Sequence, residues 1–171
     1  MWKKIGFLSL GILGIVMSGC GTQYTLEIQT PLLSWTPKLK ADLVPVGAEM
    51  TEGLIYQEKD AEEADTLLII QEDHQKVSLS SYVQAGINQL KLEGYLITHE
   101  TTKKGKLSGK DGHLYSTLLK RYHITEGEKT LIIAQLFILR EDDILLLSYA
   151  SERPEATKAF VKALSSLQLR F

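Results

Sequence analysis

The spacing of hydrophobic and polar residues predicts that most of the chain forms β-strands. Short stretches either alternate apolar and polar positions or are continuously apolar, and turn residues bound each of them. The predicted strands are residues 24–29, 54–57, 66–70, 95–98, 114–123, 131–139 and 144–149. The last two are the most apolar, and only a short acidic turn separates them, so they are predicted to pair as an antiparallel hairpin.

Two stretches have helical spacing instead. In the first, apolar residues recur on one helical face, which predicts a helix that Ser78 or Ser80 caps, that runs to about Leu92 and that ends at Gly94. The second is predicted to begin at Pro154, because the first turn of a helix tolerates the missing N–H of proline. Its apolar face consists of Ala156, Phe160, Leu164 and Leu167. The order of the elements predicts an α+β fold, with an antiparallel meander that two helices cover.

Three connecting segments are predicted to be irregular. Prolines divide residues 31–45, which form a predicted loop around Trp35. Residues 58–63 have the composition of an acidic turn. Residues 103–110, with the sequence KKGKLSGK, are predicted to be a glycine-containing turn.

Several features of this arrangement occur together in one known fold. A loop with Pro31 and Trp35 follows the first strand, a helix precedes a long antiparallel meander, and an apolar hairpin spans residues 131–149. The closing helix ends in the pattern Phe160-x-x-x-Leu164-Ser-Ser-Leu. In element order the chain resembles the PsbP/Mog1/DcrB-like fold. That superfamily includes envelope lipoproteins, photosystem accessory proteins and a Ran-binding protein. The resemblance implies a sandwich of sheet and helices and a role in binding or assembly, and it carries over no site residue.

The first twenty residues have the layout of a bacterial lipoprotein signal peptide. A positive region at Lys3 and Lys4 precedes an apolar run over residues 5–16, and small side chains lead to Cys20, the only cysteine. Met17 departs from the pattern, because such leaders more often carry leucine there. The leader resembles those in which the cysteine receives a diacylglyceryl group on sulfur and becomes the new N-terminus. An uncleaved membrane helix and ordinary secretion are the alternatives.

This interpretation divides the chain into a signal peptide (1–19), a lipidated Cys20 with a short tether (20–23) and a single α+β domain (24–171). Acyl chains such as palmitate on Cys20 would hold the protein firmly on a membrane of the cell envelope, with the domain outside the cytoplasm. At about 3.5 Å per extended residue, the tether keeps the domain roughly 10 Å from the lipid. Any partner is therefore expected at the membrane surface.

A basic cluster is the best candidate for a binding surface. The full chain has a formal net charge of -2, and removal of Lys3 and Lys4 would leave -4, which argues against nucleic acid as a partner. The cluster lies within residues 103–110 and consists of Lys103, Lys104, Lys106 and Lys110. It could attract anionic lipid headgroups or an acidic protein patch. The alternative is a solvated turn whose lysines protect a hairpin from aggregation.

No pattern in the sequence indicates a metal site, a cofactor or catalysis. The histidines are His74, His99, His113 and His123, and none of them has a metal-ligand spacing. No serine lies in a nucleophile elbow. A further acidic cluster consists of Asp60, Glu62, Glu63 and Asp65. It lacks the pattern of a calcium loop and is predicted to be a solvated turn.

The first functional hypothesis is a non-enzymatic envelope lipoprotein that binds or assembles a partner at the membrane surface. The alternative is a carrier or sensor of a small-molecule or lipid ligand, held between the sheet and a helix. The one indication of such a cleft is Gln135, a polar residue within an otherwise apolar strand.

Overall fold

The computed structural model describes residues 22–46, 53–61, 65–73, 77–141 and 143–171. The predicted leader, Cys20 and His74 lie outside the described residues. No helix within the described ranges has the length and apolar character needed to cross a membrane.

Most of the described chain is strand, as the hydrophobic pattern predicts. The strands are β1 (Tyr24–Thr25), β2 (Ile28–Gln29), β3 (Leu33–Trp35), β4 (Lys38–Leu39), β5 (Leu43–Pro45), β6 (Gly53–Glu58), β7 (Thr66–Asp73), β8 (Leu96–Ser108), β9 (Leu114–Glu126), β10 (Lys129–Leu139), β11 (Asp143–Ser151) and β12 (Gln168–Leu169). The helices are α1 (Leu79–Leu92) and α2 (Pro154–Ala163), and a 3-10 turn (Leu164–Ser166) follows α2.

A seven-stranded antiparallel sheet with the order β5-β6-β7-β11-β10-β9-β8 forms the centre of the fold. After β7 the chain passes through α1 to the far edge of the sheet and returns strand by strand from β8 to β11. The predicted hairpin of β10 and β11 is confirmed, with Leu139 opposite Ile144 at its closed end. The fold is richer in strand than a meander with two helices, because a two-stranded sheet (β1-β4) and a three-stranded sheet (β12-β3-β2) are added.

Each helix covers one face of the large sheet. On one face Phe160 of α2 packs with Trp35 and Leu147 in the largest core cluster, which also contains residues of the two small sheets. On the other face α1 packs with Phe137 and Leu146. Leu146 and Leu147 face opposite sides because successive residues of a strand alternate.

The helix α1 confirms the predicted cap and stop. Ser78 is the N-cap, and its side chain accepts a hydrogen bond from the backbone N–H of Ser81. Gly94 follows the last turn with a φ of 96°, a left-handed conformation that favours glycine. Val83 and Ile87 are buried on the predicted apolar face.

The predicted loop over residues 31–45 is wrong, because the segment contains the short strands β3, β4 and β5. Its alternate residues, including Leu33 and Trp35, are buried in the core cluster that also contains Phe160 of α2. Trp35 is 1% exposed, and its indole N–H donates to the carbonyl of Ala163 at 2.9 Å. The tryptophan is therefore a core residue.

The predicted turn over residues 103–110 is also wrong. The strand predicted at residues 95–98 continues as β8 to Ser108, and Gly105 lies within its ladder with β9. The turn itself is shorter, since the N–H of Gly109 donates to the carbonyl of His113 at 2.8 Å. Gly112 occupies the left-handed region there, with a φ of 79°.

The acidic cluster is not a solvated turn throughout. Asp60 is exposed in a turn, but Asp65 is 2% exposed. The hydroxyl of Tyr149 donates to the Asp65 carboxylate at 2.5 Å, and Arg153 donates to Glu58 at 2.7 Å and lies 2.9 Å from Asp65. Burial of a carboxylate is tolerated because these partners satisfy it. Glu62 and Glu63 lie outside the described residues.

Candidate functional site

The lysine cluster lies along one edge of the large sheet. We use the name lysine strand for residues 101–108 of β8, which pair with β9 in a regular register from Thr101 opposite Arg121 to Ser108 opposite Leu114. Among the described strands the sheet order places β8 last, so β9 is its only partner there. Lys110 follows in the turn.

The side chains of these lysines are all exposed, but they do not share one face. Lys103 lies opposite Leu119, which packs on the α2 side of the sheet. Lys104 lies opposite Leu118, which packs on the α1 side, and Lys106 shares that side because it is two residues further along. The cluster therefore approaches the edge of the sheet from both faces.

The positive charge of the cluster is not compensated locally. Glu100 precedes the lysine strand, but its carboxylate is bonded to Lys120 at 2.8 Å and to Lys91 at 2.6 Å. These hydrogen bonds lower the pKa of Glu100. Lys120 is 4% exposed and so is not part of the surface. The ion pairs among the described residues include none of the four lysines of the cluster, Lys103, Lys104, Lys106 and Lys110.

A β-bulge begins the lysine strand and brings two histidines together. The register shifts between Thr98 and Thr101, and His99 has a φ of 52°. The ring of His99 stacks on that of His123, with centroids 4.5 Å apart. Burial, followed by the charges of His99 and Arg121, lowers the pKa of His123. Sequence analysis missed this contact because it depends on the register of β8 and β9.

His113 is exposed in the turn before β9, apart from the pair of His99 and His123. The part of the chain that the structure describes contains no group of three or more histidine, cysteine, aspartate or glutamate side chains that could hold a metal ion.

A cleft of about 490 Å³ lies beside the turn that carries Lys110. The turn from β8 to β9, the turn from β10 to β11 and the last residue, Phe171, form its walls. The residues with polar or aromatic groups in its lining are Asp111, His113, Tyr115, Ser116, Arg140, Glu141, Asp143 and Phe171.

In one wall of the cleft, both carboxylate oxygens of Asp111 accept hydrogen bonds. The hydroxyl of Tyr115 donates to Asp111 at 2.7 Å, and the backbone N–H of His113 donates to the same carboxylate at 2.9 Å. These bonds lower the pKa of Asp111. The ring of Tyr115 meets that of Phe171 edge to face, with centroids 4.8 Å apart. This wall is consequently organised by its own contacts.

The opposite wall contains buried polar atoms that make no hydrogen bond among the described residues. The Arg140 guanidinium lies over the Phe171 ring at 4.5 Å and pairs with Asp143 at 3.3 Å. Nη1 of Arg140 and Oδ1 of Asp143 are both buried and have no hydrogen-bond partner among the described residues. Nη1 is the atom of Arg140 that pairs with Oδ2 of Asp143, so Oδ1 of Asp143 is the buried polar atom of this wall that has neither a hydrogen bond nor an ion pair among the described residues.

Gln135, the residue that suggested a ligand cleft between the sheet and a helix, has hydrogen-bond partners within the sheet. The Gln135 amide accepts a hydrogen bond from Tyr122 at 3.1 Å and donates to Ser148 at 3.2 Å. Burial raises the pKa of Tyr122 to about 12. Gln135 therefore belongs to a satisfied polar row within the sheet and does not indicate a ligand there.

Comparisons with known proteins identify the fold. No family model matches the chain, and no curated protein matches it. Among solved structures, the cyanobacterial PsbP protein (CyanoP) of Synechocystis is similar with a TM-score of 0.52 and 12% identity, over 88% of this chain and 94% of that chain. A Pseudomonas aeruginosa protein of unknown function is similar with a TM-score of 0.50 and 15% identity, over 72% of this chain and 94% of that chain.

A third structure, of LpqN from Mycobacterium tuberculosis, which is involved in cell envelope biogenesis, is similar with a TM-score of 0.49 and 13% identity. It covers 92% of this chain and 90% of that chain. The similarity to CyanoP shows that the domain has a PsbP-like fold, as the order of its elements predicts.

Proposed function

We propose that the protein is a non-enzymatic lipoprotein of the cell envelope that binds or assembles a partner at the membrane surface. Acylation of Cys20 would supply the anchor, and the leader pattern of residues 1–19 supports it. The proposal of a binding role without catalysis rests on the sequence, in which no nucleophile, base or metal ligands occur at a catalytic spacing.

The observation that carries this proposal is the uncompensated positive edge of the sheet. Lys103, Lys104, Lys106 and Lys110 are exposed on a chain whose formal net charge is -2. Opposite charges on two surfaces steer association and select partners, whereas like charges repel wrong ones. A short tether at Cys20 would keep the domain close to the membrane.

Cross-linking in cells tests the proposal. The full chain is cross-linked in its own membrane, and the products are identified by mass spectrometry. We expect a partner that is lost in Cys20→Ala and in the charge-reversed variant K103E/K104E/K106E/K110E. The matched control is K38E/K59E/K158E/K162E, which changes the net charge equally at exposed lysines elsewhere. A partner retained by the charge-reversed variant, or lost equally in the control, would contradict the role of the lysine cluster.

The cleft favours a second candidate function, that of a carrier or sensor of a small-molecule or lipid ligand. Oδ1 of Asp143 is a buried acceptor without a hydrogen bond among the described residues, and it lies with Arg140 in the same lining as the aromatic rings of Tyr115 and Phe171. Such a mixture of polar and apolar groups is typical of ligand sites. Native mass spectrometry of the purified protein tests it, since Arg140→Ala should remove a bound molecule that wild type retains. A wild-type protein that purifies without any bound molecule argues for the first candidate.

A further inference from the structure

The two edges of the large sheet differ sharply. At one edge, β5 contributes 3 residues and ends in Pro45, and a short strand with proline gives little room for another strand to pair. At the other edge β8 has 13 residues. Because β9 is its only partner among the described strands of the sheet, one side of its backbone presents N–H and C=O groups that none of these strands uses.

The usable part of this edge is the lysine strand. The bulge at His99 interrupts the ladder, and beyond it the register with β9 is regular from Thr101 to Ser108. At roughly 3.3 Å per residue these positions span about 26 Å, which is as long as an ordinary strand. Leu107 is partly buried against the main core, and β12 approaches β8, but the residues from Thr101 to Lys106 are all exposed. No layer therefore covers this part of the strand.

The lysines indicate what would fit beside it. Lys103 lies on one face of the sheet and Lys104 and Lys106 on the other. A strand added at the edge would set its successive side chains beside lysines on both faces, whereas a flat bilayer could meet only one face. A second copy of β8 is unfavourable, because like charges directly opposite each other destabilise a strand pair.

We infer that the lysine strand receives an extended acidic segment of a partner protein, which adds to the large sheet as a further strand. This inference deepens the proposed function, on which it rests. Main-chain hydrogen bonds would supply affinity, and the lysines would supply selectivity for acidic side chains. In the absence of a partner, the same lysines protect the long edge from unspecific pairing.

Amide exchange and binding measurements on the full-length protein in detergent test the inference. The probe is a synthetic peptide that alternates glutamate with threonine, and its control is a peptide of equal charge with interspersed prolines. We expect the first peptide to slow the exchange of alternate amides between Thr101 and Leu107, since only every second residue of an edge strand points its N–H outward. The proline peptide should give no such protection.

Charge reversal provides the second measurement. K103E/K104E/K106E should weaken peptide binding by at least about tenfold, and K38E/K158E/K162E should leave it unchanged. A thermal melt establishes that both variants are folded. Binding without alternate protection, binding insensitive to charge reversal, or binding of phosphatidylglycerol vesicles in place of the peptide would each overturn the inference.

The two proposals fail in different ways. If a cross-linked cellular partner depends on the lysines but the peptide protects no amide of β8, edge pairing is wrong and the proposed function stands. If cross-linking finds a partner that does not depend on the lysines, the role of the lysine cluster is wrong, and if it finds no partner at all, the proposed function itself is wrong.

Discussion

Replacement of Asp65 by asparagine should destabilise the fold much more than the same replacement at Asp60. The two residues belong to one acidic stretch of the sequence, but Asp60 is exposed in a turn and Asp65 is 2% exposed. Asp65 connects the start of β7 to the Tyr149 hydroxyl on β11 and to Arg153 at the beginning of α2. An asparagine keeps the size of the side chain but removes the charge that both partners use.

The expected magnitude follows from the contacts. Hydrogen bonds to a charged group contribute about 1.5–3 kcal/mol, and removal of one partner from a buried ion pair costs about 3–5 kcal/mol. The Arg153 side chain is 40% exposed and keeps Glu58 as a partner at 2.7 Å, so solvent and the second carboxylate offset part of the loss. We therefore expect Asp65→Asn to lower the free energy of unfolding by about 2–3 kcal/mol. Asp60→Asn should cost less than about 0.5 kcal/mol.

Urea denaturation of the two variants and the wild type measures this difference. A double-mutant cycle of Asp65→Asn with Tyr149→Phe should give a coupling energy of about 1–3 kcal/mol, because the two side chains share one hydrogen bond. Equal stability of Asp65→Asn and Asp60→Asn would refute the reasoning. A coupling energy near zero would show that the hydroxyl of Tyr149 does not depend on Asp65.

Three further predictions concern stability. The pKa of His123 is lower in the folded state than in the unfolded chain, so the unfolded chain binds the proton at a higher pH. The free energy of unfolding should therefore fall as the pH drops below about 6.5. In urea denaturation at a series of pH values, His123→Gln should reduce this fall. Trp35→Phe should cost about 2 kcal/mol in a urea melt, because it leaves a gap and removes the bond to the Ala163 carbonyl. Ser78→Ala should lower the free energy of unfolding by about 1 kcal/mol, as loss of an N-cap does, and Ser80→Ala should lower it less because Ser78 is the cap.

Local patterns predicted the elements whose signals are local. The cap of α1 at Ser78 and its buried face follow from residues within a few turns of one another. The hairpin of β10 and β11 follows from two apolar runs and a short polar turn. Such features need no knowledge of distant contacts, since helical spacing and hairpin length are properties of adjacent residues.

Long-range contacts explain the features that sequence patterns did not predict. Tyr149 is 84 positions from Asp65, and the acidic stretch around Asp65 has the composition of a turn. The stacking of His99 on His123 needs the register of two strands and a bulge. Burial and pairing of these side chains depend on where the sheet order places them, and residue spacing along the chain carries little of that information.

The lysine strand shows most clearly why an edge was mistaken for a turn. Strands are recognised by alternation, and alternation arises when one face is buried and the other is not. Near Lys103 and Lys104 both faces of β8 are exposed, so both faces carry polar residues and no alternation remains. Gly105 strengthened the impression of a turn, although it pairs with Thr117 within the ladder.

The same reasoning connects the missed strand to the proposed site. A strand carries polar residues on both faces where no layer packs on either of them, which is also where a partner can reach its backbone and both sets of side chains. On β8 this open stretch contains Lys103, Lys104 and Lys106. It begins directly after Glu100, whose carboxylate pairs with Lys91 and Lys120. Lysines also protect an edge strand from aggregation. Charge reversal separates the two roles, because glutamates protect an edge as charged residues do but repel an acidic partner strand.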